Sequence, residues 1–179
     1  MNGTPSAPAS GLNNAADPVI AVIGNPNTGK STLFNALTGL RQKTANYPGV
    51  TVERHTGRIN LDNRNVTLVD LPGAYSIAAQ SPDEMVAIDV LLGHVEDLPR
   101  PRAVLAVVDA TNLRRNLFLV TQLAELGLPM VIGLNMTDLA AEKGIEVDIA
   151  ALGAGLGAQV VALSAARGTG LDELRRALA

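Results

Sequence analysis

The sequence predicts an α/β fold: a mostly parallel six-stranded sheet with helices on both faces. Three observations lead there. Five short β-branched runs are apolar without alternation, as strands covered on both faces require. Stretches of helical period separate them, and each run is followed directly by a polar or glycine-rich loop. With 179 residues, 47% of them hydrophobic, the chain has room for one compact domain.

In chain order, residues 1–17 are Ala/Ser/Pro/Gly/Asn-rich and lack periodicity, so a flexible tail is expected, with one domain over 18–179. The first strand is expected at 19–23, followed by a helix with Leu33, Leu37 and Leu40 on one face. Residues 50–61 read as a more polar strand at a sheet edge, and 66–69 as a buried one. Ser81-Pro82-Asp83-Glu84 has a capping box with Pro at the first helical position. Strands at 104–108, 130–134 and 160–163 alternate with a helix bearing Leu113, Leu117, Val120 and Ala124, and finally one bearing Leu171, Leu174 and Leu178. Thr169 with Asp172 is a weaker start signal for that last helix. Ligands of such sheets bind beyond the carboxyl ends of the strands, so all five loops are expected on one rim.

Composition removes several function classes. Fourteen basic against 17 acidic residues, net charge -3, leave no cationic surplus for general nucleic-acid binding. Zero cysteines exclude disulfides, thiolate metal sites and a cysteine nucleophile, and suit a reducing compartment. No run approaches the roughly 20 apolar residues of a membrane span, and residues 1–10 lack the features of a signal peptide, so neither secretion nor direct membrane insertion is expected.

The loops carry chemistry. Gly24-Asn25-Pro26-Asn27-Thr28-Gly29-Lys30-Ser31 fits G-x-x-x-x-G-K-[ST] between a predicted strand and a predicted helix, with Thr32 following. Gly24 and Gly29 let successive N–H groups turn inward as an anion nest at the positive end of a helix. Lys30 adds a point charge for β/γ-phosphates, and the Ser31 hydroxyl can ligate Mg²⁺. Asp70, at the end of a strand, has the position of the acidic residue that holds the same ion, and Gly73 allows close backbone approach to a γ-phosphate. In Asn135-Met136-Thr137-Asp138, a carboxylate at Asp138 accepts from both N1–H and the 2-amino group of guanine, which adenine cannot supply. Asn135 is expected to tie this loop to the phosphate loop, and the turn Ser164-Ala165-Ala166 to offer a backbone N–H to guanine O6. His55 and His94 have no ligand-spaced partner, and Arg114 and Arg115 read as a solvated helix start, although either could serve as an arginine finger in cis.

The ordered set GNPNTGKS, DLPG, NMTD and SAA resembles the translation-factor-related GTPases. Asn46-Tyr47-Pro48-Gly49-Val50-Thr51-Val52-Glu53, Leu33-Phe34-Asn35 and Val108-Asp109-Ala110-Thr111-Asn112-Leu113 narrow the resemblance to the G domain of the ferrous iron transporter B family. It implies a P-loop GTPase fold, GTP/GDP with Mg²⁺ held by Ser31, Thr51 and Asp70, and Thr51 as the switch threonine. It also implies that Asn27 ligates K⁺ beside the phosphates, a cation able to act where an arginine finger would. Asn27, Lys30, Thr51 and Gly73 are then the candidate catalytic residues.

Ala74 stands where Ras-like enzymes carry the water-orienting glutamine, so slow hydrolysis is expected, on the order of 10⁻⁴–10⁻² s⁻¹. Met136 replaces the lysine usual over the base, which implies weaker, readily exchanged nucleotide. The partner implied is a ferrous-iron permease at the cytoplasmic face of the cell membrane, through which an oligomer could form. Neither that permease nor the family's helical regulatory domain is in this sequence, which suggests a fragment or a split system. Two rival readings are a stand-alone ribosome-assembly or RNA-modification GTPase, and a binding module that signals without useful hydrolysis.

Overall fold

The computed structural model describes residues 17–39, 42–78 and 81–179; residues 1–16 of the expected 1–17 tail and the face position Leu40 lie outside the described residues, whereas Asp17 is described and lies 2.8 Å from Arg58 Nε. Seven strands form one sheet: β1 (Val19–Gly24), β2 (Gln42–Asn46), β3 (Glu53–Leu61), β4 (Arg64–Asp70), β5 (Ala103–Asp109), β6 (Met130–Asn135) and β7 (Gln159–Ala162). Their order is β2-β3-β4-β1-β5-β6-β7. Strands β4, β1, β5, β6 and β7 run parallel, and β2-β3-β4 form an antiparallel wing. The mostly parallel architecture is as expected, but with seven strands instead of six.

The extra strand is β2, Gln-Lys-Thr-Ala-Asn, which buries no side chain fully and carries no hydrophobic signal. It holds its place through backbone pairing, Gln42 opposite Gly57 through Asn46 opposite Glu53. It takes the edge that had been assigned to 50–61, so β3 lies one strand inside. Between β3 and β4 the chain reverses at Asp62 and Asn63, both with positive φ (44° and 65°), the two-residue hairpin geometry that Asp and Asn tolerate.

Helices α1 (Lys30–Thr38), α2 (Pro82–Leu92), α3 (Leu113–Glu125), α4 (Thr137–Glu142), α5 (Ile149–Leu156) and α6 (Leu171–Leu178) cover both faces. Alternation along β1 decides which. Ile20 and Val22 pack with Leu33, Phe34 and Leu37 of α1 and Leu174 of α6, whereas Val19, Ala21 and Ile23 pack with Val86 and Val90 of α2 and Leu119 and Leu123 of α3. The Ser81 side chain caps α2, accepting from the Glu84 N–H at 3.3 Å.

Two helix expectations are corrected. On α3 the expected Leu113, Leu117 and Val120 do pack on the core, but Ala124 is exposed and the fully buried positions are Asn116, Leu119, Val120 and Leu123. Asn116 displaces the apolar stripe because its side chain accepts from the Asp109 N–H at 3.2 Å and donates to the Asn112 carbonyl at 2.8 Å, fastening the β5–α3 loop. Thr169 does not cap α6. Gly170 does, in the left-handed region, while Thr169 exchanges backbone hydrogen bonds with Ser164 at 3.1 Å.

Candidate nucleotide site

Parallel pairing carries the carboxyl ends of β1, β4, β5, β6 and β7 to one rim. There the loop after β1 turns into α1 through Gly29, at φ 78° and ψ 19°. Only glycine adopts that conformation without strain, and here space is also closed: a Cβ on Gly29 would lie 2.4 Å from Asn135 Nδ2. Thr28, buried, braces the loop by donating its hydroxyl to the Asn25 carbonyl at 2.9 Å. Lys30 is the first residue of α1, so the free N–H groups of the first turn face the same space.

Asn25, Pro26, Asn27, Gly29, Lys30, Ser31, Thr32 and Gly73 line one cavity of about 350 Å³. Asn25 is buried, with its Nδ2 unpartnered among the described residues. Asn27 is exposed at φ 67°, and its side chain makes no hydrogen bond among the described residues. Lys30 Nζ donates to the carboxylate of Asp70, which is buried at the end of β4. Gly73 abuts the loop: a Cβ there would be 3.3 Å from both the ring and the nitrogen of Pro26. The next N–H, from Ala74, donates to the Gly24 carbonyl at 3.2 Å. Ala74 is itself buried, and Tyr75 turns outward, where the Arg115 guanidinium lies 4.4 Å from its ring centroid. Arg115 is thus stacked on an aromatic ring and not merely solvated, a contact no local pattern signals.

The other half of the rim is built around Asn135. Its Nδ2 donates to the Thr28 carbonyl and its Oδ1 accepts from the Ala165 N–H, both at 2.9 Å, so one buried amide joins the loops after β1, β6 and β7. The expected tie to the phosphate loop is present. Because the Ala165 N–H is engaged with Asn135, the donor of this turn that is left for a ligand is that of Ala166. Met136 enters α4 at φ 61°, and its terminal methyl would lie 3.3 Å from a Cβ on Gly29. Thr137 anchors that entry, its hydroxyl donating to the Leu163 carbonyl at 2.9 Å.

Asp138 sits in the first turn of α4, its side chain 15% exposed. Burial works to raise its pKa but is outweighed by the Ser164 hydroxyl, the Leu139 N–H and Arg167, so the carboxyl is held below its usual range. Arg167 Nε lies 2.9 Å from Asp138 Oδ2. Sequence reading missed Arg167, since an arginine in a turn reads as solvated until the carboxylates opposite it are placed.

Thr51 is not brought to the cavity shared by Ser31 and Gly73. Residues 47–52 close a tight turn, with the Tyr47 N–H donating to Val52 at 3.0 Å and Val50 to Tyr47 at 3.3 Å. Thr51, exposed, lines a separate cavity with Pro82 and Asp83. Tyr47 roots this turn in the core, packed against Val69, Leu71 and Val86. Among the described residues no cluster of three or more His, Asp or Glu side chains could hold a metal, and no helix is long and apolar enough to cross a membrane.

Comparison with known proteins agrees with this geometry. The family model for ferrous iron transport protein B matches residues 18–178. The Fe(2+) transporter FeoB of Shigella flexneri is 47% identical over 163 residues, 89% of this chain and 20% of that protein. The chain therefore spans about a fifth of the length of the curated relatives it matches. Among solved structures, a GDP-bound variant of S. thermophilus NFeoB aligns with TM-score 0.82 at 46% identity, covering 89% of this chain and 61% of that one. The FeoB G-domain from Methanococcus jannaschii aligns with TM-score 0.77 at 42% identity, covering 90% and 95%.

Proposed function

Because the chain belongs to the ferrous iron transport protein B family, we propose that it binds GTP and GDP with Mg²⁺, hydrolyses GTP slowly with help from K⁺, and regulates a ferrous-iron permease at the cytoplasmic face of a membrane. The observation that carries this reading is the Asn135 amide, which ties the phosphate-type loop after β1 to the turn after β7 on the rim where Asp138 also stands. The cavity of about 350 Å³ is lined by the loop after β1, the start of α1 and Gly73 but not by Asp138, so phosphates would lie in it and the base beyond it, toward Asp138.

The residues present fit the ions. Ser31 and Asp70 offer the hard oxygen donors that Mg²⁺ prefers, and the bound ion would neutralise charge between β- and γ-phosphates. Asn27, exposed in the lining of the same cavity and without a side-chain hydrogen bond among the described residues, would offer its amide oxygen to K⁺. Lys30 would exchange Asp70 for a phosphate oxygen. No side chain at Ala74 can orient water, and Tyr75 is turned away onto Arg115, so backbone groups must orient the nucleophile and turnover should be slow. Thr51 would reach the phosphates only if the 47–52 turn reopens, an order-on-GTP switch of the kind known in GTPases.

The test is calorimetry with GDP, GTP and ATP, followed by single-turnover GTP cleavage in KCl and NaCl. Guanine nucleotides should bind far more tightly than ATP, and KCl should accelerate cleavage. Lys30→Ala should abolish tight binding, and Asn27→Ala should erase the KCl effect while sparing GDP affinity. Equal heats for ATP and GDP would overturn the guanine reading, and a KCl response surviving in Asn27→Ala would overturn the cation site.

A further inference from the structure

The two segments assigned to the base come from different parts of the chain. The turn after β7 is rooted in the core by Leu163 and Ala165, and the start of α4 is tied to it through Thr137 and the Leu163 carbonyl, but the Asp138 turn of α4 has little burial of its own. Helix α4 has six residues and fully buries only Ala140. The turn after β7 carries Ser164 to Ala166 and leads straight into Arg167. Asp138 and Glu142 stand at i and i+4 on α4, hence on one face of the helix. Arg167 spans both: Nε lies 2.9 Å from Asp138 Oδ2 and an Nη 2.9 Å from Glu142 Oε1. Its backbone N–H donates to Ser164 Oγ at 3.3 Å, and Ser164 is also among the groups that hold the Asp138 carboxyl below its usual range. Arg167 therefore links both carboxylates of α4 to the turn that holds Ser164.

We infer that Arg167 is a positioning residue for guanine selection, locking the carboxylate that reads the base to the turn that faces the same base. This rests on the guanine-binding reading above. The guanidinium's planar fork suits it to bridging two carboxylates, which a lysine ammonium cannot do with the same geometry. Glu142 draws that fork one helical turn away from the start of α4, and the carboxylate has about four acceptor positions, so Arg167 orients Asp138 without closing it to N1–H and the 2-amino group. Arg167 thereby supplies, from the turn after β7, some of the order that Met136 does not supply over the base.

The charged groups facing Asp138 are Arg167 and, through it, Glu142; Ser164 and the backbone complete its surroundings. Removing the guanidinium should loosen the link between α4 and the turn and let the Asp138 pKa rise slightly, since Ser164 and the backbone N–H groups hold it down more than Arg167 does. The experiment follows a fluorescent GDP analogue leaving the whole chain, and GDP affinity from pH 4 to 7.5, in four proteins. Arg167→Gln should release GDP about three- to fivefold faster, the scale expected for exposed ion pairs, and should lose affinity at a higher pH than the parent. Glu142→Gln should speed release about twofold with the acid limb unmoved, since the Asp138 pair remains. Arg167→Lys should restore the acid limb but not the slow release.

Both variant sites are more than half exposed, and Glu142→Gln provides a second route should Arg167→Gln misfold. If the parent binds GDP but Arg167→Gln matches it in release rate and acid limb, the inference fails while the guanine reading stands. Tighter GDP binding by Arg167→Gln would also overturn it, showing that the guanidinium blocks the base. No GDP binding by the parent would overturn the guanine reading itself.

Discussion

Asn135 donates its side-chain amide to the carbonyl of Thr28, 107 residues earlier, at 2.9 Å, and both residues are buried. Truncation to Ala would orphan that carbonyl and the Ala165 N–H at once. A buried group left unsatisfied costs about 1–3 kcal/mol. For a domain of this size each kcal/mol is worth about 2–4 °C in Tm, so two orphaned groups, together about 2–6 kcal/mol, should make Asn135→Ala melt roughly 4–24 °C lower. It should also release nucleotide faster, because the phosphate and base loops lose their common brace. Calorimetric melting and GDP release measured on one preparation check both, and an unchanged Tm would show that the brace contributes nothing.

Gly29 and Gly49 share a positive φ, 78° and 77°, but have different surroundings. A Cβ on Gly49 meets nothing within 4 Å, whereas one on Gly29 would collide with Asn135 Nδ2 at 2.4 Å. Gly49→Ala should therefore cost only the left-handed penalty, about 1–2 kcal/mol. Gly29→Ala should cost that and the Asn135 brace as well, with loss of GDP binding. Denaturant midpoints rank the two, and equal destabilisation would mean that the collision is relieved without harm.

How far the sequence could carry this argument depends on where the information lay. The five parallel strands and their common rim were legible because runs such as Val-Ile-Ala-Val-Ile are buried on both faces and say so locally. Strand β2 was not, since Gln-Lys-Thr-Ala-Asn pairs through its backbone and buries almost nothing. Asn116 was hidden because a polar residue in the buried face of a helix contradicts periodicity until its partners in the β5–α3 loop are known. Arg167 was hidden for a similar reason, its partners being spaced by α4 and not by its own neighbours. The place of Thr51 in the chain was readable, but the turn that keeps it beside Pro82 was not. A segment expected to switch has more than one backbone arrangement, and sequence pattern does not choose between them.

Tyr47 makes stability fall at high pH. Burial pushes its phenol up to about 12 from 10.0, with Arg54 opposing and Asp70 adding to the rise. A folded-state pKa above the unfolded value means that the unfolded chain loses its proton first, so the stabilisation is complete below pH 10 and is lost as pH climbs through 12. Two units correspond to about 2–3 kcal/mol. Tyr47→Phe should lack that alkaline slope. Near neutral pH it should be neutral or slightly stabilising, because the hydroxyl is buried without a partner among the described residues. Urea midpoints from pH 7 to 12 provide the check, and parallel slopes for the two proteins would exclude Tyr47 as the group responsible.

Asp138→Asn should exchange guanine for xanthine. The carboxylate presents acceptors alone, matching the N1–H and 2-amino donors of guanine. An asparagine amide presents one acceptor and one donor, and the donor would face the 2-amino group, leaving two donors opposed in a partly desolvated site. Xanthine has an oxygen at that position and restores the pairing. Sites that leave such a group unpaired discriminate strongly, so GDP affinity should drop about 10²-fold or more, with XDP the better ligand. Asparagine also removes the charge that Arg167 pairs with at 2.9 Å, although Glu142 still holds the guanidinium. Part of the GDP loss therefore comes from a loosened turn at Ser164, and that part should not depend on the base. Titrating GDP and XDP into both proteins separates the two contributions: the inversion reports base reading, and any weakening common to both ligands reports the turn. A variant that still prefers GDP would remove Asp138 from base recognition.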